Sequence, residues 1–173
     1  MIHMNPSVRL EPLSESHVPE IMGWVNDPDV MGYFANRQKP ITADDERAYI
    51  RSLTQSNTDK AWSVFDDNTG EYVGQCSINS IYWPAKNGRV FLVVTSTQQG
   101  RGYGSAILEA LKWKAFEGMG FHKLWLIVRE DNLKAQAKYV RAGFAFEGVL
   151  RDEYYVRGRY HNMVRMGLLN VIC

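Results

Sequence analysis

Cysteine is scarce in this chain: Cys76 and Cys173 are the only two. One falls inside a β-like run and the other at the end, without metal-ligand spacing. Neither a disulfide framework nor a metal site is expected, and a reducing cytosol fits. Long apolar runs are missing too. No stretch reaches the ~20 residues of a membrane-spanning helix, and the opening MIHMNPSVRL has no apolar core of a signal peptide, so neither insertion nor secretion is expected. Excess charge of one sign is also absent. Twenty Lys and Arg against 19 Asp and Glu leave a formal net charge of +1, which asks for neither nucleic acid nor an anionic membrane as partner. No repeat, linker or low-complexity tract interrupts the 173 residues. With 45% hydrophobic and 23% charged residues, they read as one globular domain over 1–173.

What the chain does have is a glycine loop between a strand and a helix. Residues 90–94 form a β-branched apolar run, residues 99–104 read Gln-Gly-Arg-Gly-Tyr-Gly, and Ile107, Leu108, Leu111 and Ala115 then recur at helical spacing. Glycine admits positive φ and close approach of a ligand. The free N–H groups of the first helical turn, with the positive end of the helix dipole, suit a pyrophosphate. A Walker loop would need a lysine before Ser105, and a dinucleotide fingerprint would need glycine where Ser105 stands.

The spacing that fits is Q/R-x-x-G-x-G/A, carried by Gln99, Gly102 and Gly104. With the downstream run KLWLIVREDNLKAQAKYVRAGFAFEG, it resembles the acyl-CoA-binding segments of the GNAT superfamily of N-acetyltransferases, over about residues 8–169. The resemblance implies an α+β fold: a mixed, mostly antiparallel central sheet of about seven strands, flanked by about four helices. A splayed parallel strand pair would hold acetyl-CoA as cosubstrate. It also implies the cofactor contacts. Pantetheine would lie on the backbone of Leu92, Val93 and Val94, and the pyrophosphate on Gln99, Gly100, Arg101, Gly102, Tyr103, Gly104 and Ser105, with Asn132 opening the second cofactor helix.

Other elements follow from pattern. Residues 8–13 alternate as a strand, and a helix is expected from Ser14 or Ser16 to about Trp24, ended by Asn26-Asp27-Pro28-Asp29. Thr42 and Asp45 form a capping-box pattern for a helix to about Leu53. Residues 61–66 and 72–78 read as a hairpin, 79–87 as a loop, 123–128 as a central strand and 133–142 as a helix capped by Asn132. Strands near 144–149, 153–157 and 160–168 close the chain. Trp24, Asp27 and Tyr33 resemble the acceptor-side joint of relatives that acetylate amino sugars, ribosomal-protein termini or polyamines. Trp83, in an aromatic loop, could line an acceptor pocket. The plainer readings stand beside these: Asp27 as a turn former, Tyr33 as core, and Trp83 packed on its own hairpin.

The chemistry implied is direct transfer of an acetyl group to a primary amine in a ternary complex, without metal or covalent enzyme intermediate. Tyr139, in the frame Asn132-x6-Tyr139-x3-Gly143-Phe144, would be the general acid to the thiolate, with a backbone N–H near Val94 as oxyanion donor. Arg89 stands where many relatives place a glutamate base, which leaves Asp27, Asp29 and Glu153 as unranked candidates. The acceptor is a small-molecule amine or a protein N-terminus. Segments 35–37 and 75–78 lack the acids that polyamine-acetylating relatives carry, which disfavours a polyamine. Dimers are common in the superfamily, and a homodimer is compatible with this chain. A non-catalytic acetyl-CoA-binding module is the alternative function.

Overall fold

The computed structural model describes residues 6–32 and 39–171. Seven strands form one sheet in the order β1-β2-β3-β4-β5-β7-β6: β1 (Val8–Pro12), β2 (Lys60–Asp66), β3 (Tyr72–Tyr82), β4 (Asn87–Val94), β5 (Lys123–Arg129), β6 (Ala145–Val156) and β7 (Arg159–Leu169). All neighbours are antiparallel except β4 and β5, whose parallel ladder runs only through Asn87–Lys123, Gly88–Leu124 and Arg89–Trp125. Beyond Arg89 the strands part. β4 keeps β3 on one side to Gly74–Val94, while β5 stays with β7 to Arg129–Met163.

The helices cover both faces. α1 (Val18–Met22), the one-turn α2 (Pro28–Met31) and α3 (Ala43–Gln55) lie on one; α4 (Tyr103–Trp113) and α5 (Leu133–Arg141) lie on the other. β4 shows the division by its period of two. Val90, Leu92 and Val94 pack into the core under α4 and α5, whereas Phe91 and Val93 join Val18, Ile21, Trp24 and Ile50 on the opposite face. β3 and β4 come unusually close at Gly74, where a Cβ would fall 2.0 Å from the carbonyl oxygen of Val93.

The first helix of the sequence reading divides in two. Residues Glu15–His17 form a 3-10 turn capped by Ser14, and α1 begins only at Val18. Pro19 has no N–H to donate back to Glu15, so one continuous α-helix cannot run through it. The Asp27-Pro28 turn is followed by α2 instead of simply ending the region; Asp27 Oδ1 accepts the Asp29 N–H at 2.9 Å as its N-cap. The Thr42–Asp45 capping box is formed, with reciprocal bonds of 2.9 and 3.1 Å. Asn26 clamps the backbone of Ile41 through two bonds and so fixes the approach to α3.

Candidate active site

The glycine loop delivers its backbone to a groove. α4 starts after Gly102, whose φ of 89° is the left-handed conformation glycine tolerates, and no side chain caps this end. The N–H of Ser105 bonds to the Gly102 carbonyl, so the amides just before it are the ones turned outward. A groove of about 400 Å³ opens here, bounded by Leu92–Val94 of β4, the loop at Gln98–Gly104, and Asn132, Lys138 and Tyr139 of α5. Gln99 Nε2 donates to the Val94 carbonyl at 3.2 Å, tying the loop to β4. Asn132 Oδ1 accepts the Ala135 N–H as the cap of α5, and thereby fixes which face of α5 meets the groove.

Two lysines missed in the sequence reading complete this end. Lys134 and Lys138 line the groove one helical turn apart on α5. A Cβ at Gly104 would lie 2.7 Å from Lys138 Nζ, so the missing side chain leaves the ammonium room at the start of α4. Burial, then repulsion from Lys134 and Arg141, lowers the Lys138 pKa. Such a cation gains from a bound anion, and here it meets a helix N-terminus that favours the same ligand. Their spacing of four on α5 was the available signal. Arg101 instead donates to Gln98 Oε1 and lies over the Tyr103 ring at 5.5 Å. Tyr103 itself is turned inward, 3% exposed, with its hydroxyl bonded to Asp66.

Where β4 and β5 diverge, a narrower cleft of about 80 Å³ continues from the groove between Arg89–Leu92 and Leu126–Arg129. Tyr139 lines both spaces. Its ring packs edge-on against Phe144, its hydroxyl has no protein partner among the described residues, and burial raises its pKa, so at neutral pH the phenol keeps its proton. Arg89 Nη2 donates to Tyr154 at 2.8 Å, while its Nε is buried without a partner.

On the other face of β4 lies a second cavity of about 400 Å³, reached by Trp24, Glu46, Tyr49, Gln75 and Phe91. Trp24 is buried and donates its indole N–H to Tyr72 at 3.1 Å. Asp27 is occupied in capping α2, and Trp83 bonds to the Asn57 carbonyl and stacks edge-on with Phe121; neither lines these spaces. Tyr33 lies outside the described residues. Of the base candidates, Asp29 borders the groove at the start of α4; Asp27 and Glu153 border none of the three spaces. Cys76 is fully buried and burial pushes its thiol well up, which leaves it a neutral core side chain.

The residues present fit acetyl-CoA: an unpaired strand edge that could pair with pantetheine amides, outward amides and lysines suited to phosphates, and a protonated phenol where the groove meets the cleft. Residues 7–145 match the acetyltransferase (GNAT) domain family. The chain is 24% identical to the spermidine N(1)-acetyltransferase of Vibrio cholerae, spanning 96% of this chain and 95% of that one. It is 26% identical to the putative ribosomal N-acetyltransferase YdaF of Bacillus subtilis, over 92% and 88% of the two chains. The crystal structure of the Vibrio cholerae enzyme with CoA and spermine shares the fold at a TM-score of 0.86, covering 94% of this chain and 95% of that one. The chain therefore belongs to the GNAT acetyltransferase family, as an acyl-CoA-dependent N-acetyltransferase with acetyl-CoA as donor.

Proposed function

We propose that this chain acts as a single acyl-CoA N-acyltransferase domain, transferring acetyl from acetyl-CoA to the primary amine of a small molecule, with both substrates bound together in the cytosol. The observation that carries the reading is the position of Tyr139, which faces both the cofactor groove and the cleft between the parted strands. Leu92, Val93 and Val94 would hold the pantetheine arm through their free backbone edge. Backbone amides of residues 100–104, with Lys134 and Lys138, would hold the phosphates; the Ser105 N–H, expected among them, is already given to the Gly102 carbonyl. Asn132 positions α5, and Tyr139 gives its proton to the departing thiolate. The donor contributes an activated thioester; the protein contributes orientation and that proton. A small acceptor suits the second cavity, which lies beneath α3 and Trp24 and opens toward Phe91 of β4.

The test is steady-state release of CoA with Tyr139→Phe beside the wild type. The variant is expected to lose about 10²-fold or more in kcat with little change in KM for acetyl-CoA. Wild-type kcat in the variant would remove Tyr139 from the proton-donor role.

A further inference from the structure

The cleft between the parted strands carries a charge that the protein does not balance. Arg89 and Arg129 both line it. Arg129 is neutralised by Asp131, which it grips through Nε and Nη2. Arg89 is half-buried and has no carboxylate partner among the described residues: Nη2 donates to the neutral Tyr154 hydroxyl at 2.8 Å, and Nε is enclosed without an acceptor. Residues 1–5, 33–38 and 172–173, outside the described ones, include no Asp or Glu. A guanidinium keeps its proton, so enclosing it costs free energy until an anion arrives.

Arg51 shows the geometry such a group seeks: its Nε and Nη2 hold the two oxygens of Glu15 at 2.8 and 3.0 Å. On Arg89 the same edge keeps the Nε hydrogen and one of the two on Nη2. Tyr154 adds an independent donor. It lines the cleft, and its oxygen accepts from Arg89, which leaves its own O–H to give. A positive charge and several converging donors match a planar anion with two oxygens, which describes a carboxylate. The walls around them, Phe91, Leu92, Leu126 and Ile127, are apolar and strengthen such a pair. Tyr139 lines the same cleft of about 80 Å³, so a carboxylate at Arg89 and a reacting amine at Tyr139 belong to one short molecule. By the period of two, Arg89 shares a face of β4 with Phe91, which also lines the second cavity and gives the acceptor a path in.

The donor's phosphates do not compete for this cation, because the loop amides, Lys134 and Lys138 that suit them border the groove and not the cleft. We infer that Arg89, assisted by Tyr154, is the specificity-determining site for a carboxylate on the acceptor, which makes the acceptor a short amino acid. A second ammonium in its place would face an unbalanced guanidinium, so a diamine is disfavoured. This rests on the acetyltransferase reading above.

The experiment measures CoA release with ω-amino acids of two to five carbons, the amides of the same acids and diamines of equal length, for wild type, Arg89→Met and Tyr154→Phe. The wild type is expected to favour the best amino acid over its amide by at least about tenfold in kcat/KM, with the diamine poorest. Arg89→Met should bring that ratio toward one, chiefly by raising KM for the amino acid. Tyr154→Phe keeps the charge and should lower the ratio by about threefold. A wild-type ratio of one or below, or a ratio unaltered in Arg89→Met, overturns the inference; should that variant fail to fold, the ratio in Tyr154→Phe decides in its place. Should the wild type acetylate nothing, calorimetric titration of the same amino acids into the CoA-loaded protein separates the two ideas. Binding that is weakened in these variants upholds the carboxylate site while the transferase reading falls. Absence of wild-type binding, or binding unchanged in the variants, overturns the site.

Discussion

Tyr103 opens α4 beside the cofactor groove, but its side chain acts behind it. The hydroxyl donates to Asp66 Oδ2 at 2.7 Å, and Asp66 Oδ1 accepts the amides of Asn68 and Thr69 at 2.8 Å each, so one carboxylate joins the glycine loop to the β2–β3 turn. These bonds, led by that from Tyr103, hold the Asp66 carboxyl below the usual carboxylate range. A depressed folded-state pKa adds stability that is fully present above the unfolded value near ~4 and is lost as pH falls through the folded value. Tyr103→Phe is therefore expected to lower Tm by roughly 2–6 °C at pH 7, with the gap to wild type narrowing below pH ~4. Thermal melts at pH 7 and pH 3 check this, and a gap independent of pH would contradict it. The sequence indicated Tyr103 through its loop. Its partner was illegible, because Asp66 lies 37 positions away and nothing local links them. Glu46 was hidden for a different reason. Within Asp44-Asp45-Glu46-Arg47 it reads as one more solvated charge, and only the packing of α3 turns it inward.

At the level of elements, the strand–loop–helix unit was legible because its local rules agree. A β-branched strand, glycines where φ is positive, and an apolar helical stripe all specify one geometry. Gly102 tests that agreement. With φ at 89°, Gly102→Ala carries a left-handed penalty of about 1–2 kcal/mol and re-aims the amides that follow. A raised KM for acetyl-CoA together with a lower unfolding midpoint in urea is expected; an unchanged KM would detach the loop from the cofactor. Elements were misread where local rules conflict. Residues 79–87 read as a loop, but β3 continues to Tyr82 through a register shift between Asn79 and Tyr82, with Ser80 at φ 51°, and the irregularity erases the alternation. The two strands expected near 144–149 and 153–157 are the single strand β6. It is an edge strand, so the charged Arg151-Asp152-Glu153 can sit within it, and Asp152 at φ 50° marks the kink.

For the whole molecule, the sheet is two halves, β1–β4 and β5–β7–β6, paired directly only near Asn87–Arg89. Hydrophobic pattern alone does not encode that parting, since β4 and β5 both read as buried strands; it was anticipated from family resemblance. A ligand lying between the halves ties them together, so CoA at 100 times its Kd should stabilise the protein by about 2.7 kcal/mol, read as a rise in Tm that inorganic pyrophosphate does not reproduce. Equal shifts from both would mean that only the loop is engaged. The same parting leaves part of β4 with backbone donors and acceptors facing an open slot on its β5 side, an unpaired edge in the middle of a sheet. Edges of this kind recruit strands from other molecules. In the cofactor-free protein, then, this stretch of β4 is the place where self-association by strand addition would begin, and an acyl donor bound there as proposed above would block it.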